Sequence, residues 1–385
     1  MNGLIQNLTA FTRANLFPLG VFVVLRVWTG LWASVTASTV LASAEATKHY
    51  YGVEPLRDAI IAPWQRWDTI WYSKIAVEGY AADARVVFAP LYPFLMRMFS
   101  LVTLNNVVAA GLLVSSIAAL ASFILLYRLA RDLFDEPAAR RALLFLAVFP
   151  TAFFLFAAYT ESLFLAFVLG AFLCARRGRW ECAGGLGALA AMTRPQGVLF
   201  VVPLAIEFFV QARQNQVSLK RAWTLLLVAL GGAAHFIWLT IQFGSPAVWF
   251  QGQMVWHRAV LPWDALSSAW AAVFRAPSLL DAFFSIVDPL CAIILLGALI
   301  WSGRKLPSSF TVYFAMIVLP PLFVVTTYSS ESPLTAISRY ALVAFPFFLL
   351  LGSLPKRWWQ APLFGISFLF QTFWLMLFVA WVFVH

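Results

Sequence analysis

Few charged residues interrupt the apolar stretches of this chain, and those few are the ones that could carry chemistry. Asp68 lies in APWQRWDTIWYSKIAVEGY, residues 62–80, between Trp67 and Trp71 and two positions after Arg66. A carboxylate beside apolar rings holds its proton more tightly unless a cation offsets the effect, so Asp68 reads as a general base or as an incidental acid on an anchored helix. Glu161 stands between two apolar runs in FPTAFFLFAAYTESLF, residues 149–164, next to Tyr159, Thr160 and Ser162. A charge at mid-bilayer costs about 2.5–3.5 kcal/mol, so this acid is either a polar turn residue near an interface or a group that holds sugar hydroxyls or orients a cation. Arg194, in MTRPQG at 192–197, sits where Pro195 and Gly197 break a helix. Beside freed backbone N–H groups an arginine can clamp a phosphate, and the alternative is a structural pair with Glu161. His257 and Arg258, in the stretch 244–281, and Arg339 and Tyr340, in ISRYALVAFP at 337–346, complete the set. An arginine at an interface can also simply bind lipid headgroups. Arg26, Glu207, His235 and Asp288 read as packing or helix-end groups.

Other chemistries lack their motifs. The four histidines (His49, His235, His257, His385) are far apart and no cysteine pair has ligand spacing, so no metal is expected. No P-loop, Gly-x-Ser-x-Gly or strand-linked glycine fingerprint occurs, and no cofactor is expected. The longest polar stretch, 45–85, is too short to hold a nucleotide-binding sheet. A reactive donor carried on a lipid is the natural alternative.

The elements that must position these residues are membrane helices. Of 385 residues, 62% are apolar and 11% charged, against about 45–50% and 25% in a soluble domain. That excludes a soluble enzyme, a disordered tail and a disulfide scaffold, and predicts an all-α polytopic membrane protein forming a single membrane domain over 1–385. The three cysteines, Cys174, Cys182 and Cys291, read as buried small hydrophobes. The net charge of +10 has no run of five like charges, so it speaks for topology and not for nucleic acid.

Apolar segments fall near 16–44, 105–127, 142–157, 161–175, 182–193, 195–210, 222–243, 281–302, 306–327, 338–354 and 361–384, about eleven membrane helices. The first is too long for a signal-peptide core, although Ala42-Ser43-Ala44 resembles a cleavage site. Segments 142–157, 161–175, 182–193 and 195–210 are shorter than the roughly 20 residues of a full crossing, so they pair as two hairpins whose tips become candidate site walls. With the N-terminus inside, the loops 128–141, 176–181, 211–221, 302–305 and 356–357 plus Arg13 hold 15 basic and 4 acidic residues. The stretches assigned outside (45–85, 244–281, 328–339, 86–104 and the first hairpin tip) hold 9 basic and 10 acidic residues, as the positive-inside rule requires. Segment 86–104 then lies along the outer interface. Within 45–85, Pro63 and Gly79 bracket a helix on which Trp64, Trp67 or Asp68, Trp71 and Ile75 share one face, an interfacial helix anchored by tryptophan.

The strings RWDTIWYSKIAVEGY (66–80), FAPLYPFLMR (88–97), FPTAFFLFAAYTESLF (149–164), TRPQG (193–197) and SRYALVAFP (338–346) resemble, in this order, the PIG-V type of mannosyltransferase, the GPI mannosyltransferase II family, in a prokaryotic form. The resemblance covers about residues 20–350 and is most specific in the first and third strings. Eukaryotic members tend to carry Arg-Ser-Asn-Gly where this chain has Arg194-Pro195-Gln196-Gly197. The resemblance implies the GT-C glycosyltransferase fold, a polyprenyl-phosphate mannose donor, a lipid or glycan acceptor, and transfer with inversion on the extracytoplasmic face of a prokaryotic cytoplasmic membrane. It implies Asp68 as base or as the group that aligns the acceptor, and on their own chemistry Arg194, Arg258 and Arg339 are the candidates for the phosphate. Arg66, Trp67, Tyr159, Glu161, His257 and Tyr340 would line the substrate pocket. Membrane lipids are expected partners, and nucleic acid is not. The competing readings are a secondary transporter, a lipid-binding scaffold, and a GT-C transferase using another prenyl-linked sugar.

Overall fold

In the computed structural model, residues 12–41, 46–326, 333–334 and 336–382 are described. The Ala42-Ser43-Ala44 stretch and half of the expected loop 328–339 lie outside them. The described residues are mostly helical. The helices are α1 (Leu16–Thr39), α2 (Asp68–Glu78), α3 (Leu91–Ser100), α4 (Val107–Leu133), α5 (Glu136–Ala147), α6 (Glu161–Arg176), α7 (Trp180–Thr193), α8 (Val201–Arg213), α9 (Trp223–Phe243) and α10 (Ala247–Trp256). After the strand β1 (His257–Ala259) come α11 (Pro262–Arg275), α12 (Leu279–Lys305) and α13 (Ser308–Val318). The strand β2 (Val324–Thr326), α14 (Ile337–Tyr340), α15 (Phe345–Ser353) and α16 (Gln360–Val379) close the order. The two strands pair antiparallel, with His257 opposite Thr326.

Among the described residues, six helical stretches are long and apolar enough to cross a membrane: Leu16–Thr39, Val107–Leu133, Pro195–Arg213, Leu219–Phe243, Asp281–Lys305 and Gln360–Val379. On α1 the large side chains Leu16, Val24 and Leu31 are each more than 60% exposed. Water would not tolerate such a surface and lipid does, so this is an integral, multi-pass membrane protein.

Segments 161–175 and 182–193 remain the single short helices α6 and α7, whereas others break at proline, which lacks the N–H that would continue a helix. Segment 306–327 becomes α13 followed by a 3-10 turn at Pro320–Phe323. Segment 338–354 becomes α14, a 3-10 turn at Ala341–Val343, and α15 opening at Phe345-Pro346. Segment 86–104 supplies only the ten-residue α3, too short to cross.

Two expectations need correction. The helix expected across 62–80 is interrupted: a 3-10 turn covers Ala62–Trp64, Trp67 takes φ 49°, and α2 begins at Asp68. Trp64 is therefore buried in the core and not an anchor at headgroup depth, and α2 buries Thr69, Ile70, Tyr72, Ser73, Ile75 and Ala76. Cys182 is exposed, because α7 turns Trp180, Ala183, Gly184 and Gly187 inward instead. Cys174 and Cys291 are half-buried.

The core is centred on the α4, α6, α7 and α9 layer and on the irregular stretch between α5 and α6. Residues 151–165 are all buried, including the large rings Phe153, Phe156, Tyr159 and Phe164. Tight helix approach at one seam depends on glycine. A Cβ on Gly184 would collide with the backbone of Thr224 on α9, and one on Gly231 with the backbone of Ala188 on α7. Without a hydrophobic drive in lipid, such close backbone packing is what holds helices together.

Candidate active site

α2, the start of α6, the break after α7 and the short α14 converge on one buried chain of charges. Arg339 Nη2 donates to Asp68 Oδ2 at 2.7 Å, and Arg339 Nε donates to Glu161 Oε1 at 2.6 Å. Arg194 Nη1 donates to the same Glu161 oxygen at 2.8 Å. The order is thus Asp68, Arg339, Glu161, Arg194, with two positive and two negative charges. Glu161 is fully buried, while the side chain of Asp68 at the other end is 28% exposed. The second Glu161 oxygen, Oε2, has no hydrogen-bond partner among the described residues. A buried, unfilled acceptor beside two arginines is a place for a hydroxyl donor.

The sequence brings these side chains together from loci far apart, and each is held by its own local device. Asp68 is the first residue of α2, where the positive end of the helix dipole favours a carboxylate. The preceding Trp67 has a positive φ without being glycine, a strain of about 1–3 kcal/mol that persists only where the surroundings fix it. Tyr159 supplies part of that fixing: its hydroxyl accepts from the Asp68 N–H at 3.2 Å and donates to the Arg66 carbonyl at 3.4 Å. Thr69 donates to the Ala158 carbonyl, and the Tyr72 and Thr160 hydroxyls meet, so α2 is fastened along the 158–160 tip.

Arg339 is set in the same way. Ala336, left-handed at φ 42° and ψ 51°, opens α14. The adjacent Ser338 is gripped twice: its carbonyl accepts from Thr151 at 3.0 Å, and its N–H donates to Asp288 Oδ1 at 3.3 Å. The Arg339 guanidinium lies over the rings of Tyr159 (4.7 Å) and Phe154 (5.3 Å), and that of Arg194 over Tyr340 (5.3 Å). Arg194 is the cap residue between α7 and the 3-10 turn Pro195–Phe200. The two hairpin tips therefore meet in the pair of Arg194 with Glu161.

The remaining candidates divide. His257 sits where the charge of Asp68 acts on it, and its Nδ1 lies 3.2 Å from Gln253 Oε1. Burial pushes the imidazole pKa down, and Asp68 pulls the other way without cancelling that shift. Arg258, next along β1, is exposed, since alternation on a strand turns it to the other face. Arg66 is buried, but its donors go to the carbonyls of Val379 (2.9 Å), Ala62 (2.8 Å) and Gln65 (3.1 Å), and its face packs on Trp381. It straps the loop to the end of α16. Trp67 packs on His49 and Trp381.

Arg26 donates to Ser116, Glu207 holds Ser309 and Gln211, and His235 meets the Val86 carbonyl, as packing groups do. Asp288 is also a satisfied group, yet through Ser338 it orients Arg339. Sequence reasoning missed Asp288 and Thr151 as members of the site, and only the buried acid within α12 hinted at the first. Among the described residues, no three His, Cys, Asp or Glu side chains cluster as a metal site.

Comparison with known proteins agrees with this architecture. The chain superposes on ArnT from Cupriavidus metallidurans, solved with undecaprenyl phosphate, at a TM-score of 0.50 and 14% identity, covering 92% of this chain and 63% of that one. Residues 88–239 match the family described as dolichyl-phosphate-mannose-protein mannosyltransferase. The fold defines the class: a multi-pass membrane protein with the GT-C glycosyltransferase fold. Within that class, its sequence is similar to the PIG-V type mannosyltransferases. It is 29% identical over 153 residues to GPI mannosyltransferase 2 of Cryptococcus neoformans, and 28% identical over 147 residues to that of Schizosaccharomyces pombe. These matches cover 37% and 36% of this chain, and 36% and 31% of the two relatives.

Proposed function

We propose that this protein transfers a mannosyl residue from a polyprenyl-phosphate donor to a lipid or glycan acceptor, with inversion, at the extracytoplasmic face of a prokaryotic cytoplasmic membrane. One observation carries the reading: a half-open carboxylate, Asp68, ion-paired to an arginine that is itself shared with a buried acid. The donor class is supported by the undecaprenyl phosphate in the related fold and by the mannosyltransferase names of the relatives. The face is supported by the charge asymmetry of the loops, which puts 45–85 and 244–281 outside.

The chemistry follows from the charges. The acceptor hydroxyl oxygen attacks the anomeric carbon while its proton passes to Asp68. The bond from that carbon to the phosphate oxygen breaks, and the prenyl phosphate leaves with one more negative charge. As Asp68 gains the proton it releases Arg339, whose freed Nη2 can turn to the leaving phosphate together with Arg194. The positive charge thus becomes available where negative charge develops. Glu161 holds both arginines and offers Oε2 to a sugar hydroxyl. Tyr159, Tyr340 and His257 line the pocket, and the phenylalanine- and leucine-rich walls take the prenyl tail. Attack from the face opposite the phosphate turns a β-linked donor into an α-linked product.

The test compares purified wild type with Asp68→Asn, using polyprenyl-phosphate mannose and extracted acceptor lipids. Loss of transfer with donor binding retained is expected. Near-normal transfer by a folded variant would remove Asp68 from the mechanism. Arg194→Gln should weaken donor binding, and unchanged affinity would exclude its phosphate role.

A further inference from the structure

At the end of α6 and α7 remote from Glu161, a cavity of ≈ 330 Å³ lies between α4, α6 and α7. Ligand pockets run about 300–1,000 Å³, so it is large enough to hold part of a small molecule. Its walls are apolar, with Leu125, Phe167 and Leu186 facing a floor at Gly170. A Cβ on Gly170 would press to 3.1 Å from Leu186, so the floor is bare because that residue has no side chain.

The rim is entirely different. Arg128, Arg177 and Arg179 line the same cavity, and the last two are exposed. Arg128 Nε donates to Asn15 Oδ1 at 3.2 Å, and its guanidinium is repelled by Arg177 and Arg131 and attracted by Asp132. Asp132 is also paired with Arg177, at a loose 3.4 Å and with both side chains about half exposed. Among the described residues, the rim therefore carries more positive than negative charge. It lies in the loops that hold the basic excess, the end assigned to the cytoplasm by charge.

We propose that this groove is a binding site for one anionic phospholipid. Its phosphate sits among Arg128, Arg177 and Arg179, and one acyl chain runs along Leu125, Phe167 and Leu186 over Gly170. A free anion would satisfy the rim and leave the apolar groove unfilled. A zwitterionic lipid would fill the groove and bring no net charge to the arginines. An anionic lipid answers both, and basic pockets between helices on the cytoplasmic side are where such headgroups bind. The site lies at the opposite end of α6 from Asp68 and Glu161, so it stands independently of the proposed transfer reaction.

The experiment uses the full chain in detergent, washed free of lipid and then titrated with phosphatidylglycerol or phosphatidylcholine, with bound lipid counted by native mass spectrometry. Wild type should bind one phosphatidylglycerol at least tenfold more tightly than phosphatidylcholine. The double variant Arg177→Gln/Arg179→Gln should weaken phosphatidylglycerol about 30-fold and bring the two lipids together. Ala166→Phe, which fills the groove and leaves every arginine in place, should also weaken phosphatidylglycerol, with the melting temperature confirming that each variant is folded. Equal affinity for the two lipids in wild type would overturn the proposal. So would unchanged binding in folded Ala166→Phe, since the acyl chain would then not occupy the groove. Tenfold tighter binding of undecaprenyl phosphate than of phosphatidylglycerol would assign the groove to a prenyl carrier and overturn it as well.

Discussion

Arginines stand at both ends of the α6–α7 hairpin, and the two ends treat them in opposite ways. At one end Arg194 and Arg339 converge on a single oxygen of the fully buried Glu161. At the other, Arg128, Arg177 and Arg179 crowd a groove with one loosely held acid. The residue type is the same, so the difference lies in what the backbone brings to meet it. Where a polar network is buried, every charge needs a fixed partner, and geometry becomes specific. Where it is exposed beside lipid, partners can come from the membrane, and geometry stays loose. The first arrangement suits chemistry and the second suits anchoring.

The sharpest way to break the contrast is through turnover. Asp68→Asn should lower the initial rate of mannosyl transfer by about 10²–10⁴-fold, the usual worth of a general base. Arg177→Gln, at the far end, should leave that rate unchanged. Equal losses in the two variants would mean that turnover tracks overall integrity and not the site.

Stability gives the next largest separation. Glu161→Ala leaves the buried Arg194 and the partly buried Arg339 without their shared acid and should cost about 3–5 kcal/mol, read as loss of folded fraction in a graded detergent unfolding series. Arg177→Gln removes a half-exposed pair and should cost no more than about 1 kcal/mol. A third variant separates strap from site. Arg66→Gln should destabilise by about 1–3 kcal/mol, because buried carbonyls of Val379 and Ala62 lose their donor, while donor affinity stays near wild type.

How much of this contrast is legible in the sequence depends on the link considered. Asp68, Glu161, Arg194 and Arg339 can be found by sequence reading because a charge in an apolar run is costly and so must be answered by something. Their mutual pairing can be anticipated only as an alternative, since they lie on four separate segments. Arg66 shows the limit. Its type and position match those of Arg339, and only the fold reveals that it faces carbonyls. Trp64 and Trp67 show another: neither glycine nor asparagine marks the left-handed turn at Trp67, so a continuous helix is the natural expectation from 62 to 80. Apolar composition locates segments, but the prolines at 320 and 346 decide where two of them break. Asp288 and Thr151 act through the backbone of Ser338, a contact with no periodicity to betray it.

The finest discrimination concerns His257, whose burial lowers its pKa and whose neighbour Asp68 opposes that shift. The sign is fixed by the form that folding prefers. The folded state favours the neutral imidazole, so this group's contribution to stability is complete above the ordinary histidine value of about 6.5 and is lost as pH falls through its lower folded pKa. Asp68→Asn removes the charge that favours the protonated form and should therefore move the His257 titration to still lower pH. Arg177→Gln, at the other end of the hairpin, should leave it in place. The shift can be read by NMR on histidine-labelled protein, with His257→Gln identifying the resonance. An imidazole titration that stays fixed in Asp68→Asn would separate β1 from the charge chain and confine the site to α2, α6, α14 and the α7 break.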